Sequence, residues 1–221
     1  MFKTRLLFLL FVASAAFAQN WEIGALGGFG LSNDMTIHSP SGTASSNLAN
    51  GGAFGIFGGD DTYNYLSGEA RYLYRYSDFS LSSGNTTVTF PAHTQLLQGV
   101  FLAHLRPRQT KVRPFIAFGG GLSFLSGTGV ESAAQPLGQF AGLTATRQTL
   151  PTATVGFGVK IELHHHLRLR FEADDYISST PSKVIAPAPG NSVSGWMNNV
   201  IAFGALSYTF DSRNEGGKAL P

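Results

Sequence analysis

The segment 154–173 alternates apolar and polar residues along two consecutive arms that are separated by three histidines, His164 to His166. The apolar positions of the two arms are Val155, Phe157, Val159, Ile161 and Leu163, then Leu167, Leu169, Phe171 and Ala173. A period of two residues is typical of β-strands that have one apolar and one polar face. The short connection therefore predicts a β-hairpin.

The same alternation recurs along the chain and predicts eight strands in all. We place them at 21–32, 51–59, 65–76, 93–106, 112–125, the two hairpin arms of 154–175, and 198–210. The facing of 51–59 stays undecided, because Phe54, Ile56 and Phe57 do not keep one parity. The connections between the strands are alternately long and short, which is typical of bacterial outer-membrane β-barrels.

The alternation alone does not say which face lies inside. A soluble eight-stranded barrel of the lipocalin kind would turn its apolar face inward. Two features favour the membrane instead: the polar face is rich in Gly, Ala and Ser, and aromatic residues gather near both strand ends. At one end these are Trp21, Tyr63, Tyr65, Tyr208 and Phe210; at the other they are Tyr74, Tyr76, Phe124 and Trp196. We expect the apolar face to meet lipid.

Residues 1–18 have the features of an export signal: Lys3 and Arg5, an apolar run, and an Ala16-Phe17-Ala18 cleavage site. Lys3 and Arg5 account for the whole excess of 15 basic over 13 acidic residues, so the rest of the chain is formally neutral. That balance disfavours nucleic-acid binding. The chain has no cysteine and therefore no disulfide framework or lipid-anchored cysteine. Charged residues make up only 13%, well below the average of a soluble domain.

These strands and the closing Ser207-Tyr208-Thr209-Phe210 resemble the small OmpA-like outer-membrane β-barrel family. The resemblance implies an all-β, eight-stranded antiparallel transmembrane barrel with short periplasmic turns and long extracellular loops. It also implies that Tyr208 and Phe210 form the signal that the barrel-assembly machinery reads. We expect a signal peptide at 1–18, the barrel at 19–210 and a short periplasmic tail at 211–221. That tail is too short for a peptidoglycan-binding domain, so anchoring to the cell wall does not carry over.

The polar face carries charges of both signs, as a narrow lumen requires, since an unpaired buried charge is costly. If the hairpin turns at His165, Glu162 lies opposite Arg168 and Lys160 opposite Arg170. We predict a lumenal charge network; the resemblance implies that its members around Lys160 plug the barrel and could gate it. The alternative is that these pairs only fill and rigidify the barrel. The network comprises Glu69, Arg71, Arg75, Lys160, Glu162, Arg168, Arg170 and Glu172; Glu22, His104, Arg113 and Asp174 also face inward.

No motif points clearly to catalysis, a cofactor or a metal. Adjacent histidines such as His164 to His166 rarely converge on one ion. A lipid-modifying enzyme would need a nucleophile, a base and an orienting group near the outer rim. The residues there are Ser80, Ser82, Asp78 and His93, whose spacing is not specific. The sparse loop charges, Asp34, Asp78, Glu131, Arg147 and Lys183, name no partner.

We therefore expect a monomeric, non-enzymatic barrel with a structural or surface role, whose partners are outer-membrane lipid and the assembly machinery. The alternatives are a small gated pore, an adhesin and a lipid A-modifying enzyme. No cofactor is expected, and the metal site is expected to be absent.

Overall fold

A computed structural model describes residues 20–61, 63–132 and 134–211. The expected export segment, 1–18, and residues 212–221 of the expected tail lie outside these ranges. Within them, no helix is long and apolar enough to cross a membrane. The described chain forms 15 strands, numbered in chain order: β1 Asn20–Ser32, β2 Met35–Ser39, β3 Gly42–Leu48, β4 Gly51–Asp60, β5 Leu66–Tyr76, β6 Phe79–Ser83, β7 Thr86–Phe90, β8 Ala92–His104, β9 Val112–Gly127, β10 Ala141–Leu143, β11 Arg147–His164, β12 Leu167–Ser178, β13 Ile185–Pro187, β14 Ser192–Ser194 and β15 Met197–Asp211.

Eight of these strands form a closed barrel in the order β1-β15-β12-β11-β9-β8-β5-β4. All neighbours are antiparallel, and the barrel closes where β1 pairs with β15 from Asn20–Asp211 to Ser32–Asn199. Closure leaves the sheet without an open edge, so each backbone group has a partner within the wall. The expected eight-stranded antiparallel barrel is confirmed. We call its two ends the turn end and the loop end, after the lengths of the connections there.

The two faces of the wall have the predicted polarity. On β1, Ile23 is 55% exposed on the outer face while its neighbour Glu22 is buried in the lumen. Large apolar side chains are exposed along the other barrel strands as well, among them Phe101, Phe118 and Phe171. An apolar exterior around a polar interior suits lipid outside and excludes the lipocalin-like alternative.

Strand β4, whose facing the sequence left open, turns Ala53 and Phe57 inward and exposes Phe54 and Ile56. The alternation of apolar and polar residues fails in β4 because the aromatic side chain of Phe57 faces the lumen. Its ring lies 3.9 Å from the guanidinium carbon of Arg170.

Several strands extend beyond the predicted ends. β9 continues to Gly127, which pairs with Ala92 of β8, and β11 begins at Arg147, which pairs with Ser126 of β9. β12 likewise continues to Ser178, which pairs with Met197. By contrast β8 stops at His104, and Leu105 enters the following turn, where its N–H donates to the Pro114 carbonyl at 2.9 Å.

The strand pattern leaves 33–50, 77–92, 126–149 and 178–195 as long loops between the barrel strands, but parts of these loops are further strands in the structure. They contain a five-stranded sheet of order β14-β2-β3-β6-β7 and the small pair β10–β13. We call these seven strands and their connections the cap. The cap and the adjoining strand ends enclose an apolar core: Met35, Ile37, Ala44, Leu48, Phe79, Leu81, Phe90, Ala92, Leu125, Leu137, Phe140, Ala141, Leu143, Leu150, Val184, Ile185 and Met197. The cap is therefore packed against the loop end of the barrel through this core.

Candidate functional site

The lumen near the turn end holds a first group of ion pairs, which we call the mouth cluster: Glu22, Asp61, Arg113, Lys160 and Arg168. Lys160 Nζ donates to Glu22 at 2.8 Å, and Arg113 donates to Asp61 at 2.7 Å. Arg168 bridges the two carboxylates. Every side chain of this cluster is at least nine-tenths buried.

A second group lies deeper in the lumen, and we call it the inner cluster: Glu69, Arg71, Arg170, Glu172 and Asp174. Arg71 binds three carboxylates at once, including Glu172 at 2.7 Å and Asp174 at 2.5 Å. Arg170 donates to Glu69 at 2.8 Å and lies 3.4 Å from Glu172. No ion pair within 4.0 Å joins the two clusters in the described residues.

The two clusters balance each other. The mouth cluster has three cations for two carboxylates, and the inner cluster has two cations for three carboxylates. Burying an ion costs several kcal/mol unless an opposite charge and hydrogen bonds compensate it. A lumen that holds equal numbers of both signs meets that condition, whereas the loss of one member would leave a buried charge without its partner.

Aromatic rings complete the surroundings of the inner cations. Arg71 lies 5.6 Å from the centre of the Phe203 ring, and Arg170 lies over Phe57; both geometries allow a cation–π attraction. Small residues make the room for these groups. A Cβ at Gly24 would overlap the Phe57 ring, and one at Gly156 would overlap the Asp174 carboxylate.

Arg75 lies apart, at the loop end of the lumen. It donates to Ser32 at 2.9 Å, to the Ala49 carbonyl at 3.1 Å and to the Asn199 side-chain oxygen. Within the part of the chain that is described, it has no ion pair, although it is completely buried. Arg75 therefore links three segments of the chain through hydrogen bonds to uncharged acceptors, and it does not belong to either cluster.

The predicted network and the observed one overlap only in part. Glu69, Arg71, Lys160, Arg168, Arg170 and Glu172 lie in the two clusters. Glu162 does pair in register with Arg168, and Lys160 with Arg170, as the hairpin pattern predicted. However, a register irregularity between Glu162 and His164 ends the regular ladder there. Glu162 is half-buried at the mouth and forms no ion pair in the described structure.

Asp61 is the member that the sequence reading missed, because it falls in a predicted turn. Asp61 directly follows β4 at the turn end of the barrel, and its carboxylate binds Arg113 and Arg168 there. Burial alone would raise the pKa of Asp61, but the charges of Lys160, Arg113 and Arg168 outweigh burial and lower it. Asp61 is thus held in its charged form.

The remaining predicted residues lie as follows. Tyr208 and Phe210 are exposed on the outer face near the turn end, with ring centres 5.0 Å apart, and Tyr208 stacks on His166 at 5.4 Å. No group of three His, Cys, Asp or Glu residues suited to a metal occurs among the described residues.

The residues weighed for lipid chemistry do not converge. His93 stacks on the Tyr74 ring at 5.1 Å, Asp78 accepts from the Ala92 N–H at 3.2 Å, and Ser82 bonds to Thr87 at 3.0 Å. The Ser80 carbonyl accepts from the Ser46 hydroxyl at 3.1 Å.

A closed barrel with an apolar exterior and an ion-paired lumen is the arrangement of outer-membrane proteins. The family model described as "Outer membrane protein beta-barrel domain" matches residues 4–210. The chain belongs to this family. In bacterial outer-membrane barrels the short turns are periplasmic and the longer loops are extracellular. None of the curated proteins matches the sequence.

Solved structures of bacterial surface barrels match the chain at low identity, and the first of those described here has a TM-score above 0.5. Neisserial surface protein A is 11% identical, covers 87% of this chain and 97% of its own, and has a TM-score of 0.53. The N-terminal barrel of OprF from Pseudomonas aeruginosa is 13% identical, with coverages of 87% and 98% and a TM-score of 0.43. Ail, the attachment invasion locus protein of Yersinia pestis, is 8% identical, with coverages of 86% and 98% and a TM-score of 0.43.

Proposed function

We propose that this protein is a non-conducting structural barrel of the outer membrane that displays the cap outside the cell. The observation that carries the proposal is the filled lumen. Arg71, Arg75 and Arg170 are among the largest fully buried side chains of the molecule, and the ion pairs of Arg71 and Arg170 cross the interior. An eight-stranded barrel has room for little more than its own side chains.

Passage of a solute would have to break several of these buried pairs at once, and each broken pair would leave uncompensated charges. The cap adds a second barrier, since its apolar core lies over the loop end. Both features favour a rigid wall element over the gated pore that the family resemblance suggested for the lumenal charges.

The remaining parts of the proposal concern biogenesis. Residues 1–18 are removed on export, and the mature chain inserts as a monomer into outer-membrane lipid. The assembly machinery reads Tyr208 and Phe210 on the outer face of the last strand. Their exposure supports this role, because a recognition signal has to be accessible.

Planar-bilayer conductance of the refolded mature protein tests the closed lumen. We expect no channel openings from the native protein or from Glu162→Ala, which leaves both clusters intact. Lys160→Ala disturbs only the mouth cluster, and it too remains silent if the inner cluster and the cap close the barrel. Discrete openings from correctly folded native protein would favour the pore.

The non-enzymatic part of the proposal rests on the separate engagement of His93, Ser82 and Asp78 described above. Mass spectrometry of lipid A from cells with and without the gene tests it. Identical lipid A masses agree with the proposal, and a missing or added acyl chain would contradict it.

A second candidate function, adhesion, has one observation in its favour. The cap carries an apolar groove of about 200 Å³ lined by Val88, Phe90, Val130, Pro136 and Leu143. Val130 is 95% exposed at this groove, and an exposed apolar groove can serve as a contact surface for a partner. Bacteria that carry Val130→Asp should then adhere less to an epithelial cell layer, while the exposed control Thr87→Asp should adhere normally. Equal adhesion by both would remove this candidate.

A further inference from the structure

The periplasmic mouth of the barrel contains a small cavity with an unusual charge. It is lined by five cationic side chains and one carboxylate: Arg108, Lys111, Arg113, Lys160, Arg168 and Glu162. Its volume of about 10 Å³ holds about one water-sized group. One oxygen atom of a larger group would fit into this volume.

The inner wall of this cavity has an excess of positive charge. Three of its cations belong to the mouth cluster, where they share only the carboxylates of Glu22 and Asp61. The counter-charge that balances this excess lies in the inner cluster, farther from the opening. A group at the mouth therefore experiences a positive potential, which low-dielectric walls strengthen.

A free hydrogen-bond donor lies in the same wall. The Arg113 side chain is nine-tenths buried and lines the cavity, and its Nε has no acceptor among the described residues. A buried N–H of a guanidinium without an acceptor is costly, so such groups usually bind water or an anion.

The outer rim provides further cations. Lys111 is exposed in the turn between β8 and β9, and its backbone carbonyl accepts from the Glu162 N–H at 2.8 Å. Arg108 is held nearby by the Asn20 side chain. Glu162, the lining carboxylate, is not paired with any of these cations within the described structure.

We propose that this mouth binds a phosphate group, with one oxygen in the cavity near Arg113 and another facing Lys111. Guanidinium and ammonium groups together provide several charge-assisted hydrogen bonds, which a tetrahedral oxyanion can accept at once. The phosphate could belong to inorganic phosphate or to the headgroup of an anionic phospholipid.

The test uses ¹⁵N-labelled mature protein in an uncharged maltoside detergent, which contains no phosphate. Amide shifts of 108–113 are followed while sodium phosphate replaces sodium chloride at constant ionic strength, and in a second arm while phosphatidylglycerol is added. We expect saturable shifts. Lys111→Gln, which leaves the folded backbone contact in place, should weaken binding about fivefold, as the loss of one solvated charge predicts.

The matched control is Arg106→Gln, a cation of the same turn that does not line the cavity, and its affinity should be unchanged. Binding of inorganic phosphate alone assigns the site to the free ion, and binding of phosphatidylglycerol but not of inorganic phosphate assigns it to lipid. The proposal is overturned if neither probe gives saturable shifts, or if Lys111→Gln and Arg106→Gln weaken binding equally, because only general surface charge would then be at work.

Discussion

Two isoleucines that lie close together in the sequence, Ile23 and Ile37, show how differently the barrel and the cap are built. Ile23 in the barrel points outward and is 55% exposed, whereas Ile37 in the cap points inward and is 0% exposed. The barrel meets lipid, so its apolar residues lie outside and the lumen receives the polar half of the alternation. The cap meets water, so the same alternation is turned around. Whether the outer face of a strand meets lipid or water therefore determines whether its inner face is polar or apolar.

The two interiors should consequently fail in different ways. An apolar core loses stability in proportion to the volume removed. An ionic core depends on the balance of positive and negative charge, because the removal of one charge leaves its buried partners without a counter-charge.

The largest effect should come from Arg71→Met, which leaves Glu69, Glu172 and Asp174 without their shared cation. We expect a loss of about 3–5 kcal/mol in the free energy of unfolding, the usual cost of breaking a buried charge network. Urea titration in micelles, followed by tryptophan fluorescence, measures it. Arg147→Met, at an exposed position, serves as the control. A similar, small change in both variants would mean that the lumen does not depend on charge balance.

The cap should respond to Ile37→Ala with a loss of about 3 kcal/mol, the typical cost of a cavity in an apolar core. The effect should be local: deuterium exchange should increase in β2, β3 and β6, while β1 and β15 stay protected. The matched variant Ile23→Ala removes the same atoms on the lipid side, where lipid fills the space, and should cost about 0.5 kcal/mol. Equal losses would end the distinction between the two regions.

Acid should act on the mouth cluster through Asp61. Burial raises the pKa of Asp61, but Lys160, Arg113 and Arg168 lower it below its ordinary value of 3.8. The stabilisation from the charged carboxylate is then complete above about pH 3.8 and is lost as the pH falls through the lowered folded pKa. Unfolding midpoints measured from about pH 5 to pH 2 should fall less steeply in Asp61→Asn than in the native protein. Parallel curves would contradict the lowered pKa.

The smallest effect should come from Glu162→Gln, because this carboxylate has no ion pair in the described structure. We expect a change within about 0.5 kcal/mol. Glu22→Gln removes a carboxylate that binds Lys160 and accepts from the Ser207 hydroxyl at 2.7 Å, and it should cost more than about 2 kcal/mol. The reverse order would show that the pattern-based network, and not the observed one, describes the lumen.

The barrel could be predicted because its signal is long and repeated. Alternation over about ten residues fixes a strand and its facing, and a short connection fixes the register of a hairpin. The pairs Glu162–Arg168 and Lys160–Arg170 are confirmed for that reason.

The cap was missed because its strands are short and rich in Ser, Thr and Gly, a composition that resembles loops. A weak signal was nevertheless present. Met35 and Ile37 share one parity, and so do Phe79 and Leu81, and all four are buried in the cap core. Apolar pairs two positions apart within polar loops are therefore worth reading as short strands.

The ion partners could not be predicted from pattern. Lys160 and Glu22 are 138 positions apart in the chain, and they meet only because the closed barrel brings β11 and β1 to the same level of the lumen. That level is set by the stagger of all eight strands, and no local pattern encodes it. Asp61 depends on the same geometry.

Thiol accessibility tests most directly whether the cap and the ion pairs together close the lumen. The native chain has no cysteine, so a single introduced thiol is the only one present. Thr94 is 0% exposed beneath the cap, and Thr94→Cys should resist a small charged thiol reagent added outside intact cells. The exposed control Thr87→Cys should react at once. Slow labelling of Thr94→Cys that Ile37→Ala accelerates would agree with a closing cap; labelling as fast as that of Thr87→Cys would mean that the lumen is open.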